Sequence, residues 1–463
     1  MATNRQTNKH HAIVVGGSIA GLDTARVLSD FFDRVTIVER DALPTAPAGR
    51  KGTPQGEQGH LFMPLGLDLH EELFPGFVAE MQELGCPFFD EVNDLLYWTA
   101  AGWRARGESD VRLLGTTRTL LEHVVRDRVR ALPNVEFRVG AASGLATMSD
   151  RTRVTGVIVN REVVEADLAV DASGRGSQAP KWMEDIGYER PDEMHLRAYV
   201  GYASRLVKAP AAAFPADSKG VIAVPYPGTN RGAAIFPTQN GLHMVIAAGM
   251  IKDYPPTDEQ GFLDFLSDVS SPIIHAIVQQ SEPVGEIKPY RMPGSQRRLW
   301  ELLERRPRGF IVIGDAVASY NPIYAQGMTI AAHGAVTLRE LLAGADGELD
   351  TLPELFQTRL SEAVEWAFTT AAATDAHFEG AEREGIPEFS DDDDEYFLHL
   401  EELATVDPEI SILFEHSFGY MKPELLFSEK VKEKVAAWVA SGRKLLHTDP
   451  MAPPALSSVS ESA

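Results

Sequence analysis

A single cysteine, Cys86, stands in 463 residues. That excludes an intrachain disulfide and a Cys-rich metal site, and Cys86 reads as a small buried hydrophobe in a reducing compartment. No His, Cys and carboxylate cluster has metal-ligand spacing, so no metal is expected. No apolar stretch reaches the length of a membrane span. The polar start, residues 1–11, has no signal-peptide pattern, and a cytoplasmic protein with no membrane contact is the expectation. Positive charge is also scarce: 43 Lys and Arg stand against 67 Asp and Glu, a formal net charge of −24. Such a chain lacks the basic face that nucleic acid or an anionic membrane requires. Nothing repeats at a solenoid or propeller period. Oligomeric state is not legible in any of these features.

What is present begins with Gly16-Gly17-Ser18-Ile19-Ala20-Gly21. Residues 12–15 before it are an apolar run of the length of a buried parallel strand. After it, Leu22, Ala25, Leu28 and Phe31 recur near helical spacing. Gly16 permits the tight turn, the small Ser18 lets a pyrophosphate approach, and Gly21 lets helix pack on strand. The helix start offers free N–H groups and a positive dipole end to phosphates. Residues 35–38 read as the next strand, ending at Glu39, whose carboxylate suits a ribose diol. The strict pattern has glycine where Ser18 stands. The surrounding strand–turn–helix–strand–acid order nevertheless describes a dinucleotide site, against the alternative of an ordinary packing turn.

Two further stretches lie far downstream: Asp171-Ala172-Ser173-Gly174-Arg175, and Gly314-Asp315 followed by Pro322 and Gly327. Residues 154–159 and 163–170 are strand-like, the second running into Asp171. Residues 310–313 form another strand, ending at Gly314-Asp315. Thr119-x-x-Glu122 reads as a capping box opening a helix marked by Leu121, Val125 and Val129. The expected architecture is α/β. A Rossmann-type FAD-binding domain comprises 1–178, with a small excursion near 76–104, and 295–345. An antiparallel-sheet substrate domain, 179–294, is inserted between its parts.

Within that insert, residues 195–207, 220–224, 233–236 and 242–248 read as strands, and 261–269 and 273–280 as helices. A helical C-terminal region, 346–447, contains long helices over 352–375 and 428–446. The run Asp391-Asp392-Asp393-Asp394-Glu395 reads as a solvated loop or helix N-terminus. A disordered tail is expected over 448–463.

The residues resemble the FAD-dependent monooxygenases of the aromatic-hydroxylase fold, the group A flavoprotein monooxygenases. They resemble most the branch of polyether epoxidases and related natural-product tailoring enzymes. The resemblance is carried by the first glycine turn, Glu39-Arg40, residues 50–60, 171–177, Tyr290-Arg291 and, most specifically, 314–328. It implies that Asp315 binds a ribityl hydroxyl of FAD, that the loop from Pro322 to Gly327 and Met328 lies beside the isoalloxazine, and that Arg118 reaches the pyrophosphate or ribityl chain. Arg40 joins the cofactor residues. The segment holding Asp171 and Gly174 resembles a motif associated with both FAD and NAD(P)H, but here Ala172 and Ser173 separate Asp171 from Gly174. The helix after Met328, with Ala331, Ala332 and Ala335, would point its N-terminus at the flavin.

The activity implied uses O2 and NAD(P)H, or a separate flavin reductase, and passes through a flavin C4a-hydroperoxide that hydroxylates or epoxidises a hydrophobic small molecule. The implied setting is natural-product or antibiotic biosynthesis. Ketone insertion is an alternative, and His60 is a candidate base that could tip the balance toward it; Tyr324 is a second catalytic candidate. Candidate substrate contacts are Tyr202, Arg205, Tyr226, Phe236, Pro237 and His243, each equally readable as core. A halogenase shares the fold, but its Trp-x-Trp-x-Ile-Pro stretch is missing here, while Lys51 is unassigned. An alkene reductase and a non-catalytic flavin-binding sensor are the other readings.

Overall fold

The computed structural model describes residues 10–345, 349–388 and 391–456. Five parallel strands form the central sheet, in the order Phe310–Val312, Leu168–Asp171, His11–Val15, Arg34–Glu39 and Val135–Val139. Ala12, Ile13 and Val14 are fully buried, as the middle strand of a sheet covered on both faces must be. Helices Ile19–Leu28 and Gly327–Gly344 pack on each other. The first glycine turn and the Gly314-Asp315 stretch are thereby brought to one end of the sheet, although 292 residues of chain lie between them. That end is the carboxyl edge, where open α/β sheets bind ligands.

Two expected strands are each two strands. Residues 163–170 divide into Glu162–Glu165 and Leu168–Asp171. The first belongs to a three-stranded antiparallel sheet with Val154–Val159 and Ala142–Thr147. At the break, the Asp167 carboxylate accepts from the His11 backbone N–H at 2.9 Å, which steers the chain into the central sheet. Residues 195–207 divide into Glu193–Arg197 and Val200–Lys208, which lie in different sheets. Tyr199, at φ 47°, makes that corner. An apolar run alone cannot show where a chain changes sheets.

The inserted sheet has seven strands, in the order Glu282–Met292, Val200–Lys208, His243–Gly249, Arg231–Pro237, Gly220–Ala223, Leu95–Thr99 and Gly102–Trp103. The last two come from the excursion near 76–104, which therefore joins the substrate sheet. Leu95–Thr99 pairs in parallel with Gly220–Ala223; the other pairs are antiparallel. One face packs under helices Glu259–Ser267 and Ile273–Gln279 around Phe262, Ile274 and Val245. The other face carries Phe236 and Met244, against which Met63 and Phe89 pack from outside the sheet.

Helices Leu352–Ala376, Asp391–Ala404, Pro408–Tyr420 and Glu429–Ala440 form the C-terminal region. The acidic run opens the second of these. The last helix is shorter than the 428–446 read from its pattern. The expected disorder from 448 is corrected for the segment's start. The Asp449 carbonyl accepts from the Trp103 indole N–H at 2.9 Å, and the Pro450 carbonyl from the Ser271 hydroxyl at 3.1 Å, so this part docks on the seven-stranded sheet's domain. Residues 457–463 lie outside the described residues. Among the described residues, no helix is long and apolar enough to cross a membrane.

Candidate cofactor cradle and substrate chamber

The first turn is possible only with glycine at two positions. Gly16 has φ +110°, and a Cβ there would sit 2.3 Å from the Ala172 carbonyl oxygen. A Cβ on Gly21 would lie 1.9 Å from the Gly16 carbonyl oxygen. Gly21 therefore shapes the turn from behind and, unlike Gly16, Ser18, Ile19 and Ala20, does not line the cavity at this end of the sheet. Ser18 occupies the helix N-cap position but makes no side-chain cap, and no acidic residue stands in the first turn. The first N–H groups are left for an anion.

The Ser18 hydroxyl serves a different network. It donates to Glu122 Oε2 at 2.8 Å and accepts from Arg118 Nη2 at 3.1 Å. Arg50 Nε donates to Glu122 Oε1 at 3.1 Å, and Arg50 Nη1 pairs with Glu39 at 3.0 Å. Glu39 also accepts from the Gly17 and Asp41 N–H groups. Arg118 Nε and Arg50 Nη2 are among the buried donors left without a hydrogen-bond partner. Burial lowers the Arg118 guanidinium, opposed by Glu122, Asp315 and Asp23. Burial works to raise Glu122, but Arg118 and Arg50 outweigh it and hold it ionised below its ordinary range. Arg40 stands exposed at the rim. A turn with free N–H groups and two under-satisfied guanidinium groups fits a diphosphate.

Glu122 does not act as the expected cap partner. The helix runs Arg118–Arg130, and Thr117 caps it by accepting from the Leu120 N–H at 3.4 Å. Starting before Thr119 turns Arg118 and Glu122 inward together, one helical turn apart.

Asp171 is corrected from cofactor contact to framework. It is fully buried, outside the cavity, and accepts from the Ser173 N–H at 3.0 Å and the Ser177 hydroxyl at 2.5 Å. Those bonds fold the next loop so that Gly174 lines the cavity. Gly314 likewise lies behind the wall, whereas Asp315, Pro322, Gly327 and Met328 line it. The Asp315 carboxylate takes no hydrogen bond among the described residues. Burial raises its pKa, opposed by Arg118 and Arg175. It thus presents free acceptor capacity to hydroxyl donors.

The same cavity, about 1750 Å3, extends over the inner face of the seven-stranded sheet and under the C-terminal helices. Pockets for one small ligand run roughly 300–1,000 Å3, so there is room for a cofactor and a second molecule. Strand alternation sorts the six candidate substrate contacts. Tyr202, Tyr226 and Phe236 line the chamber. Arg205, Pro237 and His243 do not, and are corrected. Arg205 lies over the Phe262 ring at 5.6 Å and pairs with Glu259 on the opposite face. His243 stacks on Phe214 at 4.8 Å, and burial pushes it down to about 4.

His60 lines the cavity, and its Nδ1 donates to the Gln58 carbonyl at 2.9 Å, leaving Nε2 as acceptor. Burial and the charge of Arg118 push it down to about 4, so it is neutral at pH 7. Tyr324 donates to Asp375 Oδ1 at 2.8 Å. The Asn321 amide donates to the same carboxylate at 3.0 Å and 3.2 Å, and accepts from the Tyr202 hydroxyl at 2.6 Å. Burial raises Asp375 to about 7, the hydrogen bonds from Tyr324 and Asn321 opposing it. This chain of groups can hold or pass a proton near neutrality.

Asp375, Arg50, Glu122 and a cluster around Glu91 were not picked out as site residues from sequence. Arg50 lay inside a quoted stretch, and Glu122 inside a motif with a structural explanation. Asp375 had a faint signal: a carboxylate closing a long helix whose neighbours Ala371, Ala372 and Ala373 mark a closely packed face.

A cradle of this kind at the carboxyl edge of a parallel sheet, opening onto an apolar chamber, belongs to a dinucleotide-dependent oxidoreductase. A family model for an FAD binding domain matches residues 9–348. Protein Rv3254 of Mycobacterium tuberculosis is 30% identical over 468 residues, covering 94% of this chain and 96% of that protein. Two solved structures are similar in fold. PqsL from Pseudomonas aeruginosa, a probable FAD-dependent monooxygenase, has 18% identity over 79% of this chain and 94% of its own, with a TM-score of 0.58. A flavoprotein/dehydrogenase from Cytophaga hutchinsonii has 16% identity over 94% of this chain and 100% of its own, with a TM-score of 0.64. The chain belongs to the FAD binding domain family; its cofactor is FAD, and it is an oxidoreductase with the fold of the FAD-dependent monooxygenases.

Proposed function

We propose that the protein inserts one oxygen atom from O2 into a hydrophobic organic substrate, by hydroxylation or epoxidation, with electrons from NAD(P)H or a partner flavin reductase. The observation that carries this reading is the continuity of one cavity from the phosphate cradle to an apolar sheet face. In it, the helix start after Ser18 and Arg118 would hold the diphosphate, Glu39 the ribose diol, and Asp315 a ribityl hydroxyl. The N-terminus of helix Gly327–Gly344, with no acidic residue in its first turn, opens onto this cavity and would favour negative charge on a flavin held there. When bound, FAD supplies two-electron redox chemistry and the activation of O2. The chain's own part is to position the substrate and exclude water, through Met63, Phe236 and Ile246. Tyr324, Asp375, Asn321 and Tyr202 hold a proton beside the substrate. Natural-product tailoring, suggested by the sequence resemblance, suits so large and apolar a chamber.

The test begins with purified yellow protein under argon. Bleaching by NADPH identifies a self-sufficient enzyme; bleaching only with an added reductase identifies a two-component one. Substrate-stimulated oxygen uptake is the expected result. Full turnover without oxygen would replace this reading with an alkene reductase, and a chloride-dependent product with a halogenase. Flavin reduction with no stimulated uptake across apolar aromatics and alkenes leaves a binding protein.

A further inference from the structure

One part of the chamber is built for charge. Tyr97 donates to Glu91 Oε1 at 2.7 Å, while Glu91 Oε2 is buried with no donor among the described residues. Glu91 is 2% exposed and Glu415 6%. Arg104 pairs with Glu415, reaches Glu401 at 3.4 Å, and lies over the Phe414 ring at 4.1 Å. All of these groups line the chamber. They come from two separate parts of the chain, the excursion near 76–104 and the C-terminal helices, so folding assembles the site from both sides. Burying Glu91 and Glu415 beside one guanidinium, which the partly exposed Glu401 shares, is costly unless another cation or a proton enters.

We infer that Glu91 and Glu415 form a binding site for the basic nitrogen of an otherwise apolar substrate. This rests on reading the chamber as a substrate site. Three carboxyls facing one guanidinium repel an anionic ligand. An alcohol can pair with the Glu91 carboxyl but cannot replace its proton with a positive charge. An ammonium group does both: it donates to Glu91 Oε2 and to Glu415. Burial and then the charge of Glu415 push Glu91 well above the usual carboxylate range, and burial raises Glu415 against the pull of Arg104. In the absence of ligand, the buried pair therefore favours holding a proton. When a protonated amine enters, that proton leaves to solvent and an N–H···O bond takes its place. The titratable groups facing the pair are Tyr97, neutral as a donor, and the charged Arg104 and Glu401.

Position adds length to the specificity. Tyr97, Ile222, Ala234, Ile246 and Ser204 stand in register directly across the sheet. Four strand spacings separate Tyr97 from the strand of Ser204 and Tyr202, about 19 Å along the sheet. An amine anchored at Glu91 lays its apolar body along this row toward Tyr202 and Asn321.

The test is calorimetry on the FAD-loaded protein with dodecylamine, dodecanol and dodecanoate. A charged hydrogen bond in place of a neutral one predicts that the amine binds about tenfold more tightly than the alcohol, and the carboxylate most weakly. Repeating the titration in buffers of different ionisation enthalpy should show about one proton released per amine bound near neutral pH. Glu91→Gln should remove the amine preference and the proton release while FAD content and melting temperature hold. Equal or absent binding of the three probes, or wild-type amine binding without proton release, overturns the inference. Because binding is read without turnover, amine selectivity in a protein that consumes no oxygen would unseat only the proposed reaction. Substrate-stimulated oxygen uptake without amine selectivity would unseat only this site.

Discussion

The Tyr324 hydroxyl lies 2.8 Å from Oδ1 of Asp375, and no part of the Asp375 residue reaches solvent. Burial favours the protonated acid, so the folded protein holds that proton up to about pH 7, against 3.8 for an ordinary Asp. Native stability from this group is then full below about pH 4 and declines as pH rises toward 7, by a total on the order of 4 kcal/mol. Asp375→Asn, which cannot ionise, should melt above wild type at pH 8, with the gap closing toward pH 4. A melting difference independent of pH would show that Asp375 is ionised throughout.

Asp315 faces the cavity with its acceptors free, between Arg118 and Arg175. Asp315→Ala removes a charge-assisted hydrogen bond to a flavin hydroxyl, a loss of about 1.5–3 kcal/mol. Flavin affinity should fall accordingly while the melting temperature of the flavin-free protein stays level or rises, since a buried carboxyl has been removed. Wild-type flavin occupancy in the variant rules out the contact.

Ser18 offers a more severe test of the cradle. A Glu side chain there would meet Glu122, whose Oε2 lies 2.8 Å from the Ser18 hydroxyl, and would stand before the phosphates. Ser18→Glu should purify colourless and stay so when FAD is added. Ser18→Ala should remain yellow, because the helix N–H groups and Arg118 are still in place. A yellow Ser18→Glu protein would mean that the diphosphate lies elsewhere.

The cradle was legible because its constraints are local. Gly16, Gly21 and the strand before them obey steric rules that a short window displays. The Asp315 stretch was legible only through resemblance, since nothing in its own window separates a ligand from a helix cap. Asp171 shows the limit of that route. Its position at the end of a strand is the expected one, yet the Ser173 backbone N–H and the Ser177 hydroxyl turn its carboxylate inward. The substrate contacts fared according to strand phase. One residue decides whether Phe236 or Pro237 faces the chamber, and only pairing with Met244 and His243 fixes it. The Glu91 and Glu415 pair was beyond local reading, because 324 residues separate its members and neither lies in a motif.

That phase yields a paired prediction. Ala234 and Arg205 lie two strands apart in one sheet, on opposite faces. Ala234→Phe adds a ring to the chamber floor between Ile222 and Ile246. Crowding of this kind costs about 1–3 kcal/mol where a ligand must fit, so KM should rise roughly tenfold or more, with flavin content unchanged. Arg205→Ala removes a guanidinium stacked on Phe262 and its aliphatic stem beneath helix Glu259–Ser267. It should cost roughly 1–2 kcal/mol of stability and leave KM as it is. Both are read from one urea titration and one steady-state series per variant. If Arg205→Ala raises KM while Ala234→Phe does not, the substrate occupies the face assigned here to the core, and the chamber has been placed on the wrong side of the sheet.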